Sequence, residues 1–107
     1  MLYGLTDTQI EAIKKICSQH PEVEQAIIFG SRAKGNFKPA SDIDMALKGA
    51  ALNGTVLNKI SNAFDDSALP YTFDLVLFQQ IANKELIDYI ERVGKILFEK
   101  GGNGYEF

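Results

Sequence analysis

The sequence has little of several residue types, and each shortage excludes a class of protein. Its 107 residues include one cysteine, one histidine and no tryptophan. A single cysteine, Cys17, cannot form a disulfide within the chain, which argues against a disulfide-stabilised secreted domain. With His20 as its one histidine, the sequence has no cysteine–histidine cluster of zinc-site spacing and no basis for a Ser–His–Asp triad.

Long apolar runs and an excess of basic charge are also missing. No run approaches the ~18 apolar residues of a membrane-spanning helix, and the formal net charge is −3. Proteins that bind nucleic-acid backbones in general are usually basic. The N-terminus does not show the basic segment followed by an apolar stretch that is typical of a signal peptide. We therefore expect a cytoplasmic protein with no membrane contact and no generic nucleic-acid binding.

The composition is that of one globular domain. Hydrophobic residues make up 46% of the chain and charged residues 23%, which is typical of a soluble fold. We expect a single domain over residues 1–100. The last seven residues, 101–107, include three glycines and are expected to form a flexible tail.

Helical and strand patterns alternate along the chain. Thr6 is a candidate N-cap for the first helix, and Gln9 completes a capping box. The further expected elements are strands at 23–29, 42–47, 71–78 and 96–98, helices at 52–63 and 83–93, and a short helix or turn at 31–35. This alternation predicts an α/β (α+β) fold, in which helices pack against a mixed β-sheet.

Two aspartates, Asp42 and Asp44, lie at the start of the second predicted strand. Side chains two apart on a strand share a face and lie about 6.6 Å apart along it. Like charges this close repel unless a cation lies between them. Hard divalent cations suit carboxylate and water ligands, and Mg²⁺ is the default expectation. The alternative is an exposed strand edge with two solvated aspartates.

A third acidic residue, Asp74, lies inside the apolar run Phe73–Phe78. A charge in such a strand is costly unless it is paired or bound to a metal ion. If this strand lies beside the Asp42 strand, three carboxylates converge at one place. The alternatives are a salt bridge to a lysine and a strand residue that faces outward.

A glycine turn precedes the two aspartates. Gly30 follows an apolar strand and allows close approach of the backbone to a ligand. Ser31 offers a hydroxyl, and the amides after it can open a short helix of the kind that binds phosphate. Arg32 adds positive charge and is a candidate phosphate contact. A plain turn is the alternative, but a phosphate loop beside clustered carboxylates is what a two-metal phosphoryl or nucleotidyl transfer site requires.

The pattern Gly30-Ser31-x10-Asp42-Ile43-Asp44 resembles the motif of the DNA polymerase β-type nucleotidyltransferase superfamily. Asp74 lies where that superfamily has its third carboxylate, and the segment 86–99 resembles the minimal nucleotidyltransferases in particular. The resemblance covers roughly residues 8 to 100 and implies a minimal nucleotidyltransferase core.

The resemblance also implies roles for these residues. Asp42, Asp44 and Asp74 would be the catalytic residues and would hold two Mg²⁺ ions, and Asp74 would also accept the proton of the nucleophile. The Gly30–Ser31 turn would hold the β- and γ-phosphates of a nucleoside triphosphate, expected to be ATP. Attack on the α-phosphate would release pyrophosphate.

The resemblance further implies a partner protein. In the minimal family the usual partner is a small helical HEPN-domain protein, and the pair resembles a toxin–antitoxin system in which the antitoxin adenylylates a tyrosine of the HEPN ribonuclease. We expect a hetero-oligomer in which the partner supplies the acceptor. Two other interpretations stay open: a non-catalytic nucleotide-binding protein that inhibits its partner by stoichiometric binding, and a transferase that acts on a small alcohol.

Overall fold

The structure is a computed structural model that describes residues 2–101. The expected tail lies outside the described residues except for Gly101. Helices and strands follow each other in the predicted order, which confirms the element assignment. They are α1 (Asp7–Ser18), β1 (Gln25–Phe29), α2 (Ser31–Lys34), β2 (Ile43–Lys48), α3 (Gly54–Asp65), β3 (Phe73–Leu77), α4 (Lys84–Val93) and β4 (Lys95–Glu99).

The four strands form one mixed sheet in the order β3-β2-β1-β4. The central strand β1 is antiparallel to both β2 and β4, whereas β3 is parallel to β2. The parallel pair needs a crossover, and α3 provides it. The prediction of a mixed sheet with packed helices is therefore confirmed.

Helix α1 begins as the sequence predicts. The Thr6 hydroxyl accepts a hydrogen bond from the Gln9 amide at 3.1 Å, and the Gln9 side chain accepts one from the Thr6 amide at 3.0 Å. This is a complete capping box, which satisfies two backbone donors that the helix itself cannot pair.

The two faces of the sheet are covered differently. On one face, Ile43, Met45 and Leu47 of β2 belong to the main core, together with buried residues of α1 and α3. On the other face, Ala46 belongs to a smaller cluster with Ile90 of α4. Because side chains alternate along a strand, Asp44 lies on the same face as Ala46, which is the face that α4 covers in part.

The main core is closely packed. The rings of Phe64 and Phe73 stack with centroids 4.2 Å apart, which joins α3 to β3. Cys17 is fully buried, and burial raises the pKa of its thiol to about 12. This cysteine is therefore part of the core.

One difference from the predicted bounds lies at the end of β3. Strand β3 ends at Leu77, and a short 3-10 helix, Phe78–Gln80, follows it where the sequence pattern predicts a continued strand. There the Gln79 side chain donates to the Gly49 carbonyl at 2.6 Å, a contact between distant segments that periodicity does not reveal. Among residues 2–101, no helix is long and apolar enough to cross a membrane.

Candidate active site

The three predicted carboxylates lie at one edge of the sheet. The register pairs Asp44 of β2 with Asp74 of β3, so these neighbours are about 4.8 Å apart across the sheet. Asp42 lies just before β2, two residues from Asp44. Asp42 and Asp74 are exposed, and Asp44 is partly buried between them.

The electrostatics show that Asp74 and Asp42 both act on the carboxyl group of Asp44. Partial burial raises the pKa of the Asp44 carboxyl above its ordinary value, and the negative charges of Asp74 and Asp42 raise it further. Each cause disfavours the charged form of Asp44. The site is therefore short of positive charge.

Salt bridges do not relieve this shortage. Within the described part of the chain, the two salt bridges join Lys14 to Glu11 and Arg92 to Asp88, and neither includes a site aspartate. The alternative that Asp74 is paired with a lysine is therefore wrong. Asp74 faces outward on an edge strand, beside Asp44.

The glycine turn lies directly against this pair. Gly30 has φ +76° and ψ −154°, a combination that side-chain-bearing residues adopt only at a cost. A Cβ at this position would collide with the Asp44 carboxylate. Two features therefore favour glycine at position 30, the backbone conformation and the close approach of Asp44.

Ser31 is the first residue of the short helix α2, which ends after one turn at Gly35. The amides of a first helical turn have no partner within the helix. Ser31 is partly buried and lies next to the glycine that touches Asp44. The fold thus places the Gly30–Ser31 turn beside Asp44, which is the register neighbour of Asp74.

The side chain of Arg32 is buried in the protein, whereas the sequence predicts that it contacts phosphate. Its side chain is only 2% exposed. Its guanidinium donates hydrogen bonds to the backbone carbonyls of Tyr3, Pro39 and Ser41 at 2.9–3.1 Å. These four hydrogen bonds direct the guanidinium toward backbone carbonyls rather than toward the Gly30–Ser31 turn, so the structure gives no support to the predicted phosphate contact.

The ligand types at this site suit a metal ion, but the side chains are not arranged around a single metal position. Carboxylate oxygens are the ligands that Mg²⁺ prefers, and the raised pKa of Asp44 marks the place where a cation would remove repulsion. Within residues 2–101, however, no three His, Cys, Asp or Glu side chains form an arrangement that could hold a metal ion as they stand. Joint metal binding by the three aspartates remains a prediction.

Sequence reasoning missed the aromatic surroundings of the site. The Arg32 guanidinium lies 5.0 Å from the ring centre of Phe37 and 4.8 Å from that of Tyr71. The Lys34 ammonium lies 6.0 Å from the ring centre of Tyr89 on α4. These contacts join segments far apart in the chain, and no spacing pattern in the sequence indicates them.

The family comparison identifies the class of protein. The family described as "Polymerase beta, Nucleotidyltransferase" matches residues 11–102. The chain belongs to this nucleotidyltransferase family. A search of the curated proteins found no match.

Solved structures share the fold. A toxin–antitoxin structure with AMP-PNP is 27% identical, with a TM-score of 0.71 over 84% of this chain and 73% of that one. A second, the toxin–antitoxin MntA–HepT, is 23% identical. Its TM-score is 0.59 over 88% of this chain and 73% of that chain. The third is a complex of a tri-AMPylated Shewanella oneidensis HEPN toxin with an MNT antitoxin. It is 24% identical, with a TM-score of 0.57 over 84% and 69%.

Proposed function

We propose that this chain transfers AMP from ATP to a hydroxyl group of a HEPN-domain partner protein, releases pyrophosphate, and thereby acts as the antitoxin of a toxin–antitoxin pair. The observation that carries the proposal is the Asp44–Asp74 register pair, with Asp42 two residues away and Gly30 against the Asp44 carboxylate. Acidic groups beside a glycine turn suit nucleotidyl transfer, because the reaction needs both a cation site and a polyphosphate site.

Each residue has a distinct role in this proposal. Asp42, Asp44 and Asp74 are the catalytic residues and the ligands of two Mg²⁺ ions. When bound, these ions supply charge neutralisation at the attacking and leaving oxygens. Gly30 and Ser31 bind the triphosphate, and Gly30 brings the backbone close to the carboxylates. Arg32 contacts no nucleotide.

The reaction balances in one displacement. The oxygen of the acceptor hydroxyl forms a bond to the α-phosphorus of ATP, while the bond from that phosphorus to the bridging oxygen of the β-phosphate breaks. Pyrophosphate leaves with the electron pair of that bond. In this proposal an Asp74 carboxylate oxygen accepts the hydroxyl proton. Asp74 is exposed on the edge strand β3, where an acceptor hydroxyl from a partner can approach it.

The partner in this proposal is suggested by the solved relatives. One similar structure is a toxin–antitoxin with AMP-PNP, an ATP analogue, and another contains an AMPylated HEPN toxin with an MNT antitoxin. A chain in each of these structures shares its fold with this chain. We therefore place the acceptor hydroxyl on a HEPN partner within a cytoplasmic hetero-oligomer.

The experiment that tests the proposal compares two labelled forms of ATP. The chain, Mg²⁺ and a HEPN-domain partner are incubated with ATP labelled at either the α- or the γ-phosphate. Nucleotidyl transfer labels the partner from α-labelled ATP and not from γ-labelled ATP. No label from either form, together with full inhibition of the partner, would support stoichiometric binding and would contradict the proposal.

A further inference from the structure

Arg32 is the one buried charged side chain within residues 2–101. Burying a guanidinium is costly unless its donors are satisfied. It lies on α2, directly after the Gly30–Ser31 turn, yet it points into the protein. Such a residue requires a structural explanation that the proposed chemistry does not supply.

The hydrogen bonds of Arg32 connect three separate segments. Its Nε and Nη2 atoms donate to the Ser41 carbonyl at 3.1 and 2.9 Å, and Nη2 also donates to the Pro39 carbonyl at 3.1 Å. Its Nη1 atom donates to the Tyr3 carbonyl at 2.9 Å. The planar guanidinium presents donors in several fixed directions, which a lysine ammonium cannot reproduce.

Aromatic rings hold the guanidinium in place. Phe37 and Tyr71 lie within cation–π distance of it, and such contacts favour a charged group with little access to water. The Tyr71 hydroxyl donates to the Gln9 side chain at 3.3 Å. Gln9 also completes the capping box of α1 with Thr6, so the Arg32 environment is connected to the start of this helix.

Ser41 links the hydrogen bonds of Arg32 to the candidate site. Ser41 immediately precedes Asp42, and Arg32 immediately follows Ser31. Two hydrogen bonds from one side chain therefore join the glycine turn to the backbone that carries the first aspartate. The Ser41 hydroxyl also accepts a hydrogen bond from the Lys38 amide at 2.8 Å, which tightens the same loop.

We propose that Arg32 is a positioning residue that fixes Asp42 relative to the Gly30–Ser31 turn, so that the metal and triphosphate sites keep one geometry. It acts through the Ser41 carbonyl and touches neither substrate nor cation. The inference rests on the proposed function for its benefit to catalysis, but the binding measurement that tests it does not require transfer.

The test replaces Arg32 by lysine, which keeps the charge and loses the directed donors. Mn²⁺ binding in the presence of AMP-PNP is followed by electron paramagnetic resonance of the free ion. The concentration for half-saturation should rise about tenfold, as for other groups that orient metal ligands indirectly. The affinity for AMP-PNP at saturating Mn²⁺ should change little. Lys38→Gln, which removes an exposed cation from the same loop, should leave both values unchanged.

Three results would overturn the inference. The first is an unchanged Mn²⁺ affinity of the Arg32→Lys protein. Arg32 would then contribute to folding alone, whether or not the melting temperature falls. The second is a loss of AMP-PNP affinity with unchanged Mn²⁺ affinity, which would indicate a phosphate contact. The third is a wild-type chain that binds no Mn²⁺ at all.

A milder variant covers the case in which Arg32→Lys does not fold. Phe37→Leu removes one ring from the guanidinium and should raise the Mn²⁺ half-saturation concentration in the same direction by a smaller factor. No change in a folded Phe37→Leu protein would also count against the inference. If Mn²⁺ binding changes as expected but the partner is never labelled by the wild-type chain, transfer to that partner fails while the positioning role stands.

Discussion

Asp44 and Asp74 lie side by side on neighbouring parallel strands at one edge of the sheet. Two like charges that face each other on neighbouring strands destabilise a sheet. Burial and the negative charges of Asp74 and Asp42 raise the pKa of the Asp44 carboxyl. The folded chain therefore maintains an arrangement that opposes its own stability. Such a conflict is expected at a functional site.

Asparagine at position 44 should stabilise the folded protein at neutral pH. Because the pKa of Asp44 is higher in the folded than in the unfolded chain, its ionisation opposes folding, and Asp44→Asn removes that penalty. We expect a gain of up to about 1 kcal/mol, seen as a higher melting temperature at pH 7 without added metal.

The same change has a defined pH dependence. The penalty is complete only above the folded pKa, which lies above the ordinary value of 3.8, and it is absent below the unfolded pKa. The difference in melting temperature should therefore shrink as the pH falls toward that value. Asp65→Asn on the far side of the sheet should show no such gain. A lower melting temperature for Asp44→Asn at pH 7 would contradict the interpretation.

Alanine at position 30 should impair the site more than it impairs the fold. The backbone conformation of Gly30 costs a residue with a side chain about 1–3 kcal/mol, and the added Cβ would displace the Asp44 carboxylate. We expect nucleotidyl transfer to fall about 100-fold, because a displacement of this kind breaks the alignment of reacting groups.

Gly35→Ala is the matched control for this change. Gly35 also has a positive φ, +87°, but a Cβ there would meet nothing within 4 Å. It should lower stability while leaving transfer per folded molecule unchanged. Equal loss of transfer in both variants would show that backbone strain alone explains the effect of Gly30→Ala.

The sequence predicts the fold to the extent that local signals determine it. The capping box of Thr6 and Gln9 marks the start of α1, and the alternation of apolar residues around Asp74 predicts which side chains share its face. The meeting of the aspartates could be stated only as a condition, since strand order depends on packing between distant segments. The structure meets this condition by pairing β2 with β3.

Arg32 shows where local reasoning ends. Beside a glycine turn, a cation is expected to bind phosphate, but the hydrogen-bond acceptors of Arg32 in the structure are the backbone carbonyls of Tyr3, Pro39 and Ser41. Every residue has a backbone carbonyl, so the sequence does not indicate which of them will accept hydrogen bonds from a given side chain. The short 3-10 helix after Leu77 is not predicted for a related reason, since the Gln79–Gly49 contact joins segments 30 residues apart.

Cys17 should be inert toward thiol reagents in the folded protein. It is fully buried, and a thiol with a pKa of about 12 has almost no thiolate at pH 8. Reaction with a maleimide should therefore follow unfolding and increase steeply with denaturant. Rapid labelling of the native chain at pH 8 would contradict the described packing of α1.

The central claim is that Asp42, Asp44 and Asp74 work together as the catalytic group. Its most direct test is the intact mass of a HEPN partner after incubation with ATP, Mg²⁺ and each chain variant. We expect the wild-type chain and Asp65→Asn to add one or more AMP groups to the partner, whereas Asp42→Asn, Asp44→Asn and Asp74→Asn should each abolish the addition. Undiminished addition of AMP by a folded Asp44→Asn or Asp74→Asn chain would contradict it.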